Sequence, residues 1–293
     1  MSEHGVTLDS AKALLARFAA SWASLPIREV ISSGTDNALF LLGDESVLRI
    51  PKRESAAILL EKELAWLPRL QALPLAVPKV LFHGKAKQET GFDFGIFKWE
   101  PGGIATPDQI ADTDQAAEGL GRFLTGLHKV DTDGAPVAGQ ANHMRGVSLP
   151  ALTKNVIAGI EVLADEINAP EARRIWEEAC AAAPAQRAVW LHGDLKADNM
   201  LASGGALTAI IDWGLAAVGD PAVDYAAAWS WVAPQSRGIF RVSCGLSEDD
   251  WSRARGWALH NAVIALSYYR GRSHEALCEQ SRLTLRRLGL SPV

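Results

Sequence analysis

Apolar residues in the first hundred positions alternate between helical and extended spacing. Leu8, Leu14, Leu15, Phe18 and Trp22 fall near one helix face, which predicts a helix over 8–22 with Thr7 or Asp9 as its N-cap. Three short apolar runs follow, Ile27 to Ser32, Ala38 to Leu42 and Val47 to Ile50, and their lengths and flanking turn residues predict strands. Their linkers are Ser33-Gly34-Thr35-Asp36-Asn37 and Gly43-Asp44-Glu45. Ile58, Leu59, Leu64, Leu67 and Leu70 return to helical spacing over 54–72. Pro74 and Pro78 then break the chain before two more strand candidates, Val80 to Phe82 and Phe92 to Trp99, the second ending at Glu100-Pro101-Gly102-Gly103.

Beyond this point the pattern is mainly helical. Residues 112–130 carry Leu120, Phe123, Leu124 and Leu127 on one side, and 131–146, rich in Asp, Gly, Pro and Asn, are predicted to be a loop. Residues 151–183 are helical with a division at Pro170. Tyr225, Trp229 and Trp231 lie on one helix candidate, and Trp251, Trp257, Tyr268 and Tyr269 on later ones, where aromatic residues at this spacing point to core. Two apolar stretches interrupt the helices. Val189-Trp190-Leu191 runs into His192-Gly193-Asp194-Leu195-Lys196-Ala197-Asp198-Asn199, and Leu207, Ile210 and Ile211 end at Asp212-Trp213-Gly214. Both place polar clusters where buried strands emerge.

With 293 residues and 48% hydrophobic content, the chain can bury a substantial core, as one large domain or two lobes. Its net charge of −5 argues against a nucleic-acid or anionic-membrane partner and is compatible with a cationic substrate. No apolar run approaches the roughly 18 residues of a membrane span. Glu3, Asp9 and Lys12 stand where a signal peptide needs apolar residues, so a cytoplasmic protein is expected. Cys180, Cys244 and Cys278 are widely separated and lack companions at ligand spacing, which predicts free thiols.

Asp194, Asn199 and Asp212 stand at the spacing kinases use for the catalytic carboxylate and two metal ligands. Asp194 is the candidate that orients and deprotonates an acceptor hydroxyl, and Asn199 and Asp212 offer oxygen ligands for Mg2+. Lys196 is placed to touch a γ-phosphate, although a solvated lysine fits nearly as well. Gly34 opens the linker Gly34-Thr35-Asp36-Asn37 to close approach of a phosphate, while a hairpin turn is the competing reading of a single glycine. His192 is read as a brace of its loop, His128 as a hydrogen-bonding group at a helix end, and Asp198 has no assigned partner.

The segment from Trp190 to Trp229, with HGDLKADN, IDWG and GDPAVDY in order, resembles the aminoglycoside phosphotransferase family. GTDNALFLLGD and the stretch from Arg255 to Arg270 resemble corresponding family segments, so the likeness covers nearly the whole chain. It implies an α+β, protein-kinase-like two-lobed fold. Residues 1–100 would be a small β-rich nucleotide-binding lobe, 96–103 the hinge, and 101–293 a larger, mainly helical catalytic and substrate-binding lobe. It also implies that main chain from Ile96 to Glu100 reads the adenine edge, with Phe97 and Trp99 among the nucleotide contacts. The third-strand lysine of kinases corresponds here to Arg49, a departure because the two cations differ in shape, and Glu63 is its candidate partner. Gly193 replaces the arginine that couples many protein kinases to a phosphorylated activation segment. Only five residues separate Gly214 from Asp220-Pro221, too few for a peptide-docking platform, so a small-molecule acceptor is implied. Asp224 is expected to brace the catalytic loop.

The implied reaction is Mg2+-dependent transfer of the γ-phosphate of ATP or GTP to a small-molecule hydroxyl, with an aminoglycoside as the first acceptor. Arg49-Ile50-Pro51 and Asp212-Trp213 also resemble macrolide phosphotransferases, and choline- or homoserine-type kinases share the core motifs. A nucleotide-binding pseudokinase is the rival. Arg49 and the sparse phosphate loop favour it, and the joint presence of Asp194, Asn199 and Asp212 opposes it. No obligate protein partner is evident.

Overall fold

The computed structural model describes residues 6–30, 36–272 and 274–291. The chain forms two compact units, one of Met1–Pro101 with Ala209–Gly214 and the other of Gly102–Thr208 with Leu215–Val293.

The first unit is built on a five-stranded antiparallel sheet. Helix α1 (Leu8–Phe18) starts at Thr7, whose hydroxyl accepts from Ser10 N while Ser10 Oγ accepts from Thr7 N, a reciprocal cap. The helix is shorter than its apolar spacing predicts because Ala19 leaves helical dihedrals (φ −144°, ψ 54°). Trp22 therefore reaches the core from the following turn and packs on Phe82 with ring centroids 5.3 Å apart. Strands β1 (Ile27–Glu29), β2 (Asn37–Leu42) and β3 (Ser46–Pro51) precede helix α2 (Glu54–Trp66). After β4 (Val80–Gly84) come a single-turn helix α3 (Lys87–Thr90) and β5 (Phe94–Lys98), giving the strand order β1-β2-β3-β5-β4. The predicted end of the first strand and the linker residues Gly34 and Thr35 lie outside the described residues. The helix expected over 54–72 is α-helical only to Trp66 and continues as a 3-10 turn, Leu67–Leu70. Pro68, with no N–H to donate, sits in that turn and ends the i→i−4 ladder. Leu14 and Leu15 of α1 pack with Phe40, Leu48, Phe94 and Ile96 from the sheet as the core of this unit.

Asp93 ties the β4–β5 connection together. Its carboxylate, 7% exposed, accepts from His83 Nε2 (3.0 Å), Lys85 Nζ (3.2 Å), Ala86 N (3.0 Å) and Lys87 N (3.1 Å). Burial on its own would raise the pKa of this carboxyl, but the bonds from Lys85, His83, Lys87 N and Ala86 N outweigh it and hold the group below the ordinary carboxylate range. A pKa depressed in the folded state means stabilisation that is complete above the unfolded pKa and lost as pH falls through the folded one. Asp93→Ala is expected to lower stability by about 2–4 kcal/mol, since hydrogen bonds to a charged group are worth roughly 1.5–3 kcal/mol each and do not add fully. Denaturant melts at pH 7 and pH 3 check this. The gap between wild type and variant should narrow at the lower pH, and a gap independent of pH would contradict the role of the charge.

The second unit opens with β6 (Gly103–Ile104) and helix α4 (Thr113–Leu127), N-capped by Asp112, which accepts from Asp114 N and Gln115 N. Helices α5 (Thr153–Val162) and α6 (Ala169–Ala181) follow. Pro170 sits in the first turn of α6, with Asn168 as the cap, so the predicted division falls just before it. Strand β7 (Val189–Leu191) is followed by β8 (Met200–Ser203), β9 (Ala206–Ile210) and β10 (Ala217–Gly219). β7 pairs antiparallel with β10, and β6, β8 and β9 form a three-stranded sheet. The predicted helix around Tyr225 to Trp231 is two short helices, α7 (Ala222–Tyr225) and α8 (Ala227–Ser230), with Trp231 beyond their end. Helices α9 (Arg237–Cys244), α10 (Glu248–Tyr269) and α11 (Glu275–Arg287) complete the unit. Trp176 and Trp257 are fully buried and the buried Trp229 packs on the half-buried Trp251 at 4.6 Å, whereas Tyr268, expected in the core, is 56% exposed. The three cysteines are free thiols. Among the described residues, no helix is long and apolar enough to cross a membrane.

Candidate active site

In the second unit, β7 delivers the chain into a loop held from below by one buried carboxylate. Asp224, on α7 and fully buried, accepts from His192 N (2.6 Å) and Gly193 N (2.8 Å), the brace expected of it. Burial pushes the Asp224 carboxyl up, against the opposing pull of His192 and the amides of Gly193 and His192. Gly193 adopts φ +85°, and an added Cβ would lie 2.9 Å from Leu215 O and 3.3 Å from Arg145 Cβ. The position is therefore closed to any larger residue, which gives the departure from the protein-kinase arginine a steric cause. Next, Asp194 N donates to His192 Nδ1 at 3.2 Å, so the buried imidazole supports the turn.

Asp194 and Asn199 are locked to each other. Asn199 Nδ2 donates to the main-chain oxygen of Asp194 at 2.9 Å and to its Oδ2 at 3.0 Å. Both amide protons are thereby used, which leaves Asn199 Oδ1 as an acceptor for another group. Lys196 Nζ lies 3.3 Å from Asp194 Oδ2. The Asp194 side chain keeps 26% of its exposure, so it is reachable from solvent. Desolvation would raise its pKa, but Lys196, Arg145 and His192 together hold the carboxyl below its ordinary range. The carboxylate is ionised at neutral pH and oriented by two neighbours.

In the first unit, Arg49 Nη1 on β3 pairs with Glu63 Oε2 on α2 at 2.8 Å, with side-chain exposures of 15% and 1%. The sequence-expected pair is formed. The Arg49 guanidinium also stands 5.1 Å from the centroid of the Phe97 ring. Phe97 is 1% exposed, so its ring acts on the surroundings of Arg49. Trp99 is half-buried and its amide donates to Glu45 O at 2.7 Å. Arg53 forms an ion pair with Asp36, and Lys52 N donates to Asp36 O at 2.9 Å. Asn37 begins β2 opposite Pro51. Asp212 is solvent-exposed and adopts φ +63°, rare for a residue with a side chain.

No local pattern in the sequence marks Arg145. It follows two left-handed residues, His143 (φ +54°) and Met144 (φ +63°), in the segment anticipated only as loop. Its Nη1 donates to Asn261 Oδ1 on α10, and its charge acts on both Asp194 and Asp224. His128 caps α4, and its Nδ1 is 3.2 Å from Tyr225 Oη, the structural role expected of it. Asp198 has a partner after all, Gln280 Nε2 on α11 at 3.3 Å.

Among the described residues no three His, Cys, Asp or Glu side chains converge as a metal site. A magnesium ion that accompanies a nucleotide needs only one or two protein oxygens, because phosphate and water supply the rest. The free Asn199 Oδ1 and the exposed Asp212 carboxylate are of the hard-oxygen type that such an ion takes.

Residues 28–257 match the phosphotransferase enzyme family designated APH. A search of curated proteins finds no match. Among solved structures, the chain is similar to the GDP and kanamycin complex of APH(2″)-IIIa, with 22% identity over 97% of this chain and 99% of that one and a TM-score of 0.73. The streptomycin–ATP complex of APH(2″)-IIa gives 18% identity, coverage of 96% and 97%, and a TM-score of 0.63. The macrolide 2′-phosphotransferase MphH from Brachybacterium faecium gives 22% identity, coverage of 95% and 98%, and a TM-score of 0.62. The fold is that of the kinase-like phosphotransferases, α+β with an antiparallel-sheet unit and a mainly helical one.

Proposed function

Since the chain belongs to the phosphotransferase enzyme family, we propose that it transfers the γ-phosphoryl group of ATP or GTP to a hydroxyl of an antibiotic-like small molecule, with an aminoglycoside as first acceptor. The observation that carries this is the Asp194–Asn199 lock: an ionised, solvent-reachable carboxylate held at 3.0 Å by an amide whose own oxygen is left for a cation. A passive nucleotide-binding protein needs no such carboxylate.

Asp194 accepts a hydrogen bond from the acceptor O–H and orients its oxygen toward the γ-phosphorus. The new P–O bond forms as the bond from γ-phosphorus to the β,γ-bridging oxygen breaks, and the hydroxyl proton passes to Asp194. A carboxylate of depressed pKa is a weak base. Its chief contribution is therefore orientation, with proton transfer late, as suits a loose transition state that asks little of the nucleophile. Lys196 is assigned to the charge on the transferring phosphoryl group and Arg49 to the donor phosphates, with Phe97 fixing the Arg49 guanidinium. Trp99, Gly34, Thr35, Asp36 and Asn37 are assigned to the nucleotide. Transfer is direct: His192 is buried and occupied by the Asp194 amide, the motif holds no activated Cys, and Asp194 is given to the acceptor hydroxyl.

Asn199 and Asp212 are assigned as oxygen ligands of the magnesium that comes with the nucleotide, where the ion would neutralise phosphate charge. Asp212→Ala is expected to weaken binding of ADP in the presence of magnesium by about tenfold or more, ~1.4 kcal/mol, with little change in its absence. Calorimetry under both conditions measures this, and an unchanged magnesium effect would remove Asp212 from the ligand set.

The net charge of −5 and the kanamycin and streptomycin complexes of similar proteins favour a polycationic acceptor. The macrolide enzyme, as similar in sequence to this chain as the kanamycin-bound protein is, makes macrolides the second class. Expression in a susceptible bacterium tests the choice. Wild type, unlike Asp194→Ala, should raise the inhibitory concentration of at least one aminoglycoside; protection against macrolides alone would transfer the assignment, and protection against neither would exclude antibiotic acceptors.

A further inference from the structure

Glu63 has a second partner beside Arg49. Its Oε1 accepts from Trp213 N at 2.6 Å, a bond spanning 150 positions in sequence to the residue that follows Asp212. The segment around Asp212 is fixed at several further points. Ile210 N donates to Ala76 O at 2.9 Å, and the buried Trp213 indole folds back to give its Nε1–H to Ile210 O at 2.9 Å. Gly214 lies so close to α2 that an added Cβ would come within 3.0 Å of Leu59 Cβ. Between these anchors stands Asp212 at φ +63°, a backbone state that costs a residue with a side chain free energy and persists only where surrounding contacts over-determine it. Most of these anchors join groups by main-chain bonds, the neutral indole or apolar packing. The charged one is the 1%-exposed Glu63 carboxylate, whose two oxygens are divided between Trp213 and Arg49.

We propose that Glu63 is a positioning residue for Asp212, holding the left-handed turn and hence the aim of the Asp212 carboxylate through the Trp213 amide, separately from its ion pair with Arg49. The proposal rests on the assignment of Asp212 to magnesium made above. The two duties of Glu63 can be pulled apart by side-chain chemistry. Gln keeps an oxygen at the right reach for Trp213 N but gives up the charge that Arg49 needs. Asp keeps the charge, and the flexible arginine can follow it, but it is one methylene too short to hold the same amide.

The test is the ratio of ADP affinity with and without magnesium, measured by calorimetry on the full chain for wild type, Glu63→Gln, Glu63→Asp and Arg49→Met. Partners that hold a metal ligand in place are typically worth 10- to 100-fold in metal affinity. Glu63→Asp should lose the magnesium enhancement by about tenfold or more, within that range. Glu63→Gln and Arg49→Met should keep it within about threefold, well below the same range, while binding ADP more weakly in both conditions. Hydrogen exchange at the Trp213 amide gives a readout independent of nucleotide, slow in wild type, Glu63→Gln and Arg49→Met and fast in Glu63→Asp. If Arg49→Met abolishes the enhancement as fully as Glu63→Asp, or if Glu63→Asp keeps both the enhancement and a protected Trp213 amide, Glu63 acts only through Arg49 and the proposal is overturned. A wild-type chain that binds ADP with no magnesium effect would instead remove the parent assignment of Asp212, a distinct outcome visible before any variant is made.

Discussion

Replacing Asp194 with Ala should reduce phosphoryl transfer by roughly 10²–10⁴-fold, the span attributed to a positioned acid–base group, while leaving nucleotide affinity close to wild type. The separation follows from where the side chain is engaged. Its contacts are Asn199 Nδ2 and Lys196 Nζ, both on its own loop, and neither depends on it for the fold of β7 or β8. Asp194→Asn sharpens the result. An amide of the same shape can still accept from the acceptor hydroxyl but cannot take its proton, so activity above that of Ala and below wild type would measure orientation against proton transfer. The carboxyl lies below its ordinary range through Lys196, Arg145 and His192 acting against desolvation. Because the active form is ionised, the rate should therefore hold across neutral pH and fall only in acid, as pH drops through that depressed pKa. Single-turnover rates for wild type and both variants across this range check the assignment. Full activity in Asp194→Ala would refute it.

Asp224→Ala is expected to cost both stability and turnover. The substitution orphans two buried main-chain amides, His192 N and Gly193 N, whose bonds to the carboxylate measure 2.6 and 2.8 Å. An unsatisfied buried donor costs roughly 1–3 kcal/mol, so about 3 kcal/mol or more should be lost in denaturant unfolding. The affected amides immediately precede Asp194, so catalysis should fall further than the loss of folded protein explains. Asp224→Asn should be no simple rescue. Its carboxamide presents one oxygen and one NH2 to two donors, and one of the two amides must stay unpaired. A folded Asp224→Ala variant with wild-type stability and kcat would show that the loop is held by something other than this carboxylate.

The candidate loop 192–199 was legible in sequence because two buried strands, Val189–Leu191 and Ala206–Ile210, announce themselves as apolar runs, and the polar residues between and after them stand at a chemically meaningful spacing. Arg49 and Glu63 were legible for a related reason: a strand and the following helix fix which residues face each other, and the pair forms at 2.8 Å. Helix ends were less so. Apolar spacing continued through Trp22 and Leu70, yet backbone dihedrals at Ala19 and the missing N–H of Pro68 stopped the helices earlier. Apolar period records burial, and a residue can be buried from a turn as well as from a helix. Arg145 could not be found in advance, because its meeting with Asn261 joins a loop to a helix 116 positions away and leaves no local pattern. The bond from Trp213 N to Glu63 is hidden for the same reason, with the added difficulty that one partner is main chain, which the identity of residue 213 does not reveal.

Whether Asp194 and its neighbours direct phosphoryl transfer to a small-molecule hydroxyl is tested most directly by incubating the chain with magnesium, ATP or GTP, and a panel of aminoglycosides, macrolides and small metabolite alcohols, and weighing the acceptors. The expected result is one acceptor class gaining the mass of a single phosphoryl group in the wild-type reaction and none in the Asp194→Ala reaction. Tight nucleotide binding with every acceptor unchanged would contradict a kinase for these acceptors, and no nucleotide binding at all would contradict the roles given to residues 192–214.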